Sequence, residues 1–199
     1  MKLFFDTEFT GLHQHTTLIS LGIISEHGDK FYAEFIDYDK NQVNEWIQEN
    51  VINNLKFSSQ TKICKINNID GKIIVGVKDD TNGIKEKLSE FLQVLNHDRK
   101  TNYELYSDVC HYDMVLFAEL FGGAFELPKN VNAVCHDINQ DIASYYQISE
   151  REAFDKNRED IIREHNSNHP LLNTEDDKHN SLYDAKVIKT IYNIIHNNS

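Results

Sequence analysis

The sequence predicts an α/β fold built on a mixed sheet. Three strand-like segments lie close together near the N-terminal end, joined by short connections. Further strand-like segments alternate with helical ones, which is the pattern of a sheet with helices packed against it. Of the 199 residues, 40% are hydrophobic, which suits one domain with a sizeable core.

Residues 2–9, KLFFDTEF, and 17–25, TLISLGIIS, read as the first two strands. The turn signal EHGD at 26–29 leads into a third, 30–38, and the short connections make the three an antiparallel meander. A helix is expected around 43–55, with Trp46, Ile47, Val51 and Leu55 as its apolar stripe. Residues 61–78 read as a β-hairpin insert turning at NIDG. Ile84, Leu88, Phe91, Leu92 and Leu95 recur at helical spacing and predict an amphipathic helix. A strand at 103–107 precedes a helix at 112–121 that stops at Gly122-Gly123. Another strand is expected near 131–136, helices at 139–146 and 150–165, a polar loop at 166–178, and a last helix at 181–196. Three meandering strands followed by strands reached through helices fit an RNase H-like mixed sheet, with parallel strands added to the meander and helices on its faces. The expected organisation is a single domain over residues 1–199.

The net charge is −12 and the isoelectric point about 5.2, which argues against a protein that coats long duplexes. A carboxylate site neutralised by bound cations remains compatible with that charge. Residues 56–100 carry nine Lys or Arg against six Asp or Glu, a balance of +3 that leaves −15 for the rest. Lys62, Lys65, Lys72 and Lys78 in that stretch are candidates for a substrate-backbone track, the alternative being a solvated hairpin and helix face. Cys64, Cys110 and Cys135 are scattered and read as free thiols in a reducing compartment. No segment is long and apolar enough to span a membrane. The first strand begins almost at Met1 and leaves no room for a signal peptide, so a cytoplasmic protein is expected.

Three places carry chemistry. In a strand, residues two apart share a face, so Asp6 and Glu8 point the same way at the end of an apolar strand. Two adjacent carboxylates repel, and a hard divalent cation such as Mg²⁺ relieves the repulsion; the bland alternative is a pair of solvated acids. Asp113 precedes Leu116, Phe117 and Leu120 by three, four and seven residues, which sets it on the core-facing stripe in the first helical turn. It is a ligand candidate or a favourable N-terminal acid without chemistry. Asp108, at the end of the preceding strand, suits a capping or supporting role. In HNSLYDA at 179–185, Asp184 continues the stripe of Val187, Ile188, Ile191 and Ile195. His179, just upstream, titrates near neutrality when unperturbed and can serve as a base there.

FFDTEFTGL at 4–12, YSDVCHYDMVLF at 106–117 and HNSLYDA at 179–185 together resemble the three motifs of the DEDDh branch of the DnaQ-like 3′-5′ exonucleases. The wording is most similar to small bacterial 3′-5′ exoribonucleases and to phage exonuclease A. The second motif of that family often carries an Asn before its Asp, where this chain reads Asp108-Val109-Cys110, so Asp108 stands as an alternative to Asp113, the better ligand candidate by its register with the apolar face. The resemblance implies that Asp6, Glu8, Asp113 and Asp184 hold two Mg²⁺ or Mn²⁺ ions. It further implies that His179 is the general base of a hydrolysis releasing nucleoside 5′-monophosphates. Phe9 and Leu12 would lie beside the entering 3′ nucleotide, Phe9 stacking and Leu12 wedging between bases. Single-stranded RNA or an RNA 3′ overhang is the expected partner. A DNA exonuclease, a binding module with a dead site and a phosphodiesterase for small nucleotides are the competing readings. A homodimer is also an expectation from related enzymes.

Overall fold

The apolar alternation of the first strand, β1 (Lys2–Phe9), divides the molecule into two layers. Leu3 and Phe5 project into one core and Phe4 into another. The computed structural model describes residues 1–57, 61–96 and 101–197, apart from the side chains of 174–177 and 197. β1 pairs antiparallel with β2 (Leu18–Ser25), and β2 with β3 (Lys30–Phe35), which completes the expected meander. On the other side β1 runs parallel to β6 (Tyr103–Ser107), and β6 to β7 (Val131–Asp137). The sheet has seven strands in the order β4-β5-β3-β2-β1-β6-β7.

The hairpin strands are β4 (Ile63–Ile69) and β5 (Lys72–Asp79). They are no appendage: β5 adds parallel to β3, and Val75 and Val77 enter the core beneath α2 (Thr81–Leu95). This order also removes the hairpin from the other end of the sheet, because β5, β3 and β2 separate β4 from β1. Two of the four lysines named as candidates for a substrate track are engaged by acids of the fold, Lys62 at the surface and Lys78 in the interior. Lys62 pairs with Asp79 and Asp80. Lys78 pairs with the fully buried Glu34 at 3.2 Å and donates to the Phe57 carbonyl at 2.7 Å. Buried Glu34 requires a cation, and that need overrides a surface role for Lys78.

The first core joins α2 and α3 (His111–Phe121) to one face of the sheet. The second holds α4 (Ile138–Tyr146), α6 (Arg158–His165) and α7 (Ser181–Asn197) against the other. Two expected helices are shorter than their periodicity suggested. The one near 43–55 is only α1 (Glu45–Asn50), flanked by single 3₁₀ turns at Lys40–Gln42 and Ile52–Asn54. Ile47 and Val51 bury against Ile19, whereas Trp46, expected on the same stripe, is 54% exposed. The one at 150–165 is α5 (Glu150–Asp155) followed by α6. Asn157 caps α6 by accepting from the Asp160 N–H at 2.9 Å, which stops one helix and starts the next. The polar loop before the last helix contains a 3₁₀ segment, Pro170–Asp177.

Gly22 decides how near α7 comes to the sheet. It sits opposite Asp6 in the β1–β2 register. A Cβ built on it would lie 2.3 Å from the Leu182 nitrogen and from the Ser181 carbonyl carbon, both backbone atoms of the first turn of α7. A hydrogen atom there lets the helix start lie directly on β2, where the Ser20 and Ser181 hydroxyls meet at 2.9 Å in a buried contact. The stripe of Val187, Ile188 and Ile191, each fully or almost fully buried, supplies the adhesion. Burial of such a side chain contributes about 1.5–3 kcal/mol. Gly22→Ala should therefore push the helix start away from the sheet and cost ~1–3 kcal/mol of stability, as overpacking does. Urea denaturation checks this, and an unchanged midpoint would show that the sheet absorbs the methyl group.

Candidate active site

At the far end of β1 the strand alternation continues, but the apolar residues give way to acids. Asp6 and Glu8 follow Phe4 on the face covered by α7, and Thr7 follows Phe5 on the face covered by α3. Asp184, in the first turn of α7, is carried to the same place by the close approach at Gly22. One oxygen from each of Asp6, Glu8 and Asp184 lies within 4.8 Å of the other two. Burial, with repulsion from Asp113, Asp184 and Glu8, holds the Asp6 carboxyl well above the usual range. Burial and the neighbouring Asp184 and Asp113 push Glu8 up to about 8. Burial and Glu159 push Asp184 up to about 8, against the attraction of Lys178. Carboxylates crowded this closely require protons or a divalent cation, and an all-oxygen set suits Mg²⁺ or Mn²⁺.

Asp113 lies beside this group and outside the 4.8 Å cluster. One of its oxygens accepts from the Thr7 N–H at 3.0 Å and from the Thr7 hydroxyl; the other accepts from Ser107 at 2.9 Å. Burial raises it only to about 6, because those three donors favour the charged form. Asp108, the competing carboxylate, is engaged elsewhere. Arg158 grips both of its oxygens, at 2.6 and 2.9 Å, and Asn139 donates to one at 2.8 Å. Nor does it cap α3: Cys110 holds that position and no side chain closes the helix end. Of the capping or supporting role expected for Asp108, the structure shows no cap and an anchoring of the loop between β6 and α3, because the guanidinium outcompetes a single backbone N–H.

His179 immediately precedes the buried Asn180 at the start of α7 and has a left-handed backbone, φ 59°. Partial burial and the adjacent Lys178 lower its pKa, which keeps the imidazole neutral near pH 7 and able to accept a proton. It lines a cleft of about 570 Å³ together with Asp6, Glu8, Asp113 and Asp184. Phe9 and Leu12 form part of the same wall. The Phe9 ring stacks on Tyr112, with centroids 5.4 Å apart and planes 17° from parallel, and Leu12 is 77% exposed. Asp6, Glu8, Phe9, Leu12, Asp113, His179 and Asp184 thus line one cleft, and Asp108 lines it as well. Thr7, Ser107, Arg158 and Asn139, which position the acids, were not foreseen. Thr7 carried a signal, since it lies between the two acids of D-T-E and must face the opposite layer. Arg158 and Asn139 carried none.

A family model described as the 3′-5′ exoribonuclease Rv2179c-like domain matches residues 1–196. The chain belongs to this exoribonuclease family. Family membership makes it a nuclease, in agreement with the resemblance read from its three motifs. It is similar to the 3′-5′ exoribonuclease Rv2179c of Mycobacterium tuberculosis (strain ATCC 25618 / H37Rv), with 26% identity over 140 residues, 70% of this chain and 73% of that protein. A 3′-5′ exoribonuclease from strain CDC 1551 of the same organism matches equally. Among solved structures, the nuclease domain of 3′hExo, a DEDDh family member bound to rAMP, is similar with a TM-score of 0.64 and 12% identity; the match covers 100% of this chain and 92% of that one. A 3′-exonuclease solved in 3′-end specific recognition of a histone mRNA stem-loop has a TM-score of 0.65 and 13% identity, covering 100% and 82%. These two likenesses show a shared fold, the RNase H-like mixed sheet of the DEDDh exonucleases.

The raised carboxyl groups have a consequence for stability. A group protonated more readily in the folded than in the unfolded chain contributes stability below its unfolded pKa and loses it as pH rises through the folded value. For Glu8 and Asp184 that window runs from the ordinary carboxylate range up to about 8. The metal-free protein should therefore melt lower as pH rises from 5 to 8. A loss of ~2 kcal/mol corresponds to roughly 4–8 °C at this size. Asp6→Asn should melt higher than the native chain in EDTA at pH 7.5, and excess Mn²⁺ should reverse that order. Thermal unfolding followed by circular dichroism reads both effects; a native Tm independent of pH and of Mn²⁺ would remove the crowding argument.

Proposed function

We propose that this exoribonuclease removes nucleotides one at a time from the 3′ end of single-stranded RNA or an RNA 3′ overhang, releasing nucleoside 5′-monophosphates. The observation that carries this reading is the convergence of Asp6, Glu8 and Asp184 within 4.8 Å, beside a histidine whose pKa is lowered, in an open cleft. RNA is favoured over DNA by the activity named for the family and by the 3′-5′ exoribonucleases of M. tuberculosis.

Asp6, Glu8 and Asp184 would hold divalent cations, Mg²⁺ or Mn²⁺, with Asp113 fixed alongside by Thr7 and Ser107 to complete the two-ion set. Bound there, such ions supply charge neutralisation for the acids and the scissile phosphate and ease the deprotonation of water. The residues of the chain do the remainder. Phe9 with Tyr112 offers an aromatic wall to the terminal base, and base stacking of this kind contributes about 1–3 kcal/mol without regard to sequence. Leu12 projects from the rim and separates the terminal base from its neighbour. His179 accepts the proton of the attacking water. The new bond from the water oxygen to phosphorus forms as the bond to the 3′ oxygen breaks, and that oxygen takes up a proton from solvent. The acids confine attack to the phosphodiester next to the chain end, because only an end enters with its last base against Phe9.

The test uses 5′-labelled single-stranded RNA and DNA of one sequence, with Mg²⁺ or Mn²⁺. The expected result is a ladder shortening from the 3′ end, faster on RNA and abolished by EDTA and by Asp6→Ala. His179→Ala should slow it by about 100-fold or more, the range of a general base. Leu12→Ala should leave the chemistry and weaken binding of the 3′ end. A faster ladder on DNA would transfer the reading to a DNA exonuclease, and cleavage confined to dinucleotides would transfer it to a small-nucleotide phosphodiesterase. The absence of cleavage on all three would overturn it.

A further inference from the structure

His179 occupies a position that needs to be held. A non-glycine residue with φ near 59° sits in a sparsely populated backbone region, and such a conformation persists only where the surroundings impose it. Its ring is only half-buried, so packing from one side alone would leave it free to turn. Further contacts reach it from outside the cleft. Trp46, the chain's one tryptophan, meets the imidazole in a T-shaped contact, with centroids 5.1 Å apart and planes 72° from parallel. The side chain of Asn54 donates to the Lys178 carbonyl at 2.9 Å, and the Asn54 carbonyl accepts from the Asn180 side chain at 3.3 Å. Asn54 thus ties the residues on both sides of His179. Asn180 in turn donates to the Tyr32 hydroxyl at 3.0 Å, which fixes that side to the sheet.

Trp46 and Asn54 belong to one short stretch, α1 and the 3₁₀ turn after it. Neither lines the catalytic cleft. Trp46 departs from the buried stripe of its helix and stays 54% exposed, with Ile47 and Val51 sufficing to anchor α1. An apolar ring left at the surface is accounted for when it has a partner to hold, and here the partner is the imidazole.

We propose that Trp46 and Asn54 are positioning residues for His179: Trp46 sets the plane of the imidazole and Asn54 holds the left-handed turn that aims it into the cleft. The proposal rests on His179 being the base of the proposed function. It gives α1 and its 3₁₀ turn a place in the reaction without contact to substrate or to the carboxylates.

The experiment is a double-mutant cycle on RNA hydrolysis by the full chain with Mn²⁺, paired with fluorescence of the single tryptophan. Trp46→Ala and Asn54→Ala should each lower kcat by about 10- to 100-fold, the cost of a misplaced catalytic group, with KM within about 3-fold of the native value. Trp46→Phe, which keeps an aromatic ring, should recover most of the loss. Neither alanine change should reduce the residual rate of His179→Ala further, since both act through that side chain. His179→Ala should also alter the Trp46 emission. Should Trp46→Ala fail to fold, as circular dichroism would show, Trp46→Leu and Asn54→Ala carry the same comparison. Native kcat in the folded variants would overturn the proposal, as would an equal further loss in the His179→Ala background or an emission blind to His179→Ala. Full activity of His179→Ala itself is a different failure: it removes the base from the proposed function, and the positioning role with it.

Discussion

Electrostatic repulsion at the end of β1 is the constraint around which the molecule is arranged. Asp6, Glu8 and Asp184 present oxygens within 4.8 Å of one another and are only partly exposed to water. Left to themselves such groups would move apart, so apolar adhesion elsewhere must oppose them. That adhesion comes from α7, whose buried isoleucines and valine dock on β1 and β2, and from Gly22, whose missing side chain permits the approach. Cation affinity follows from the same repulsion, because an ion that neutralises the acids relieves what the fold otherwise endures.

The acids near the cleft are of one chemical type and are separated by their hydrogen-bond partners. Asp113 takes three donors from Thr7 and Ser107 and ionises near 6. Glu8 and Asp184, poorer in donors, hold their protons up to about 8. Asp108 takes an arginine on both oxygens and serves the loop it sits on. Which acids are left to hold a cation therefore depends on which ones the protein leaves with fewer donors. The histidine obeys the same logic with the opposite sign: partial burial and a lysine next to it keep it neutral, and the segment around Trp46 and Asn54 keeps it aimed.

Much of this was legible in the chain. The D-T-E alternation at the end of an apolar strand placed Asp6 and Glu8 on one face, since strand geometry has a period of two. Helical spacing put Asp113 and Asp184 at the inner ends of apolar stripes, and both face the cleft. The strands β1 to β3 followed from short connections. Misreadings arose where local preference meets tertiary competition. Trp46 matches the helical stripe of Ile47 and Val51, but α1 is too short to bury it. Lys78 stood as a candidate for a substrate track or a solvated face until the buried Glu34 claimed it, whereas Lys62 stays at the surface, paired with Asp79 and Asp80. The break between α5 and α6 turned on the Asn157 cap, a weak signal inside a long polar run.

The sequence by itself determined which residue types lie at the ends of which elements, and from their spacing and wording it determined the exonuclease family and seven of the residues that line the cleft. These are local properties, set by strand and helix periodicity and by chemistry that only certain side chains perform. Tertiary structure alone decided that Asp108 goes to Arg158, that Gly22 admits the start of α7, and that Trp46 and Asn54 enclose His179. Each of those depends on atoms brought together from distant parts of the chain by the sheet order and the two apolar cores, and no local pattern encodes where such atoms meet.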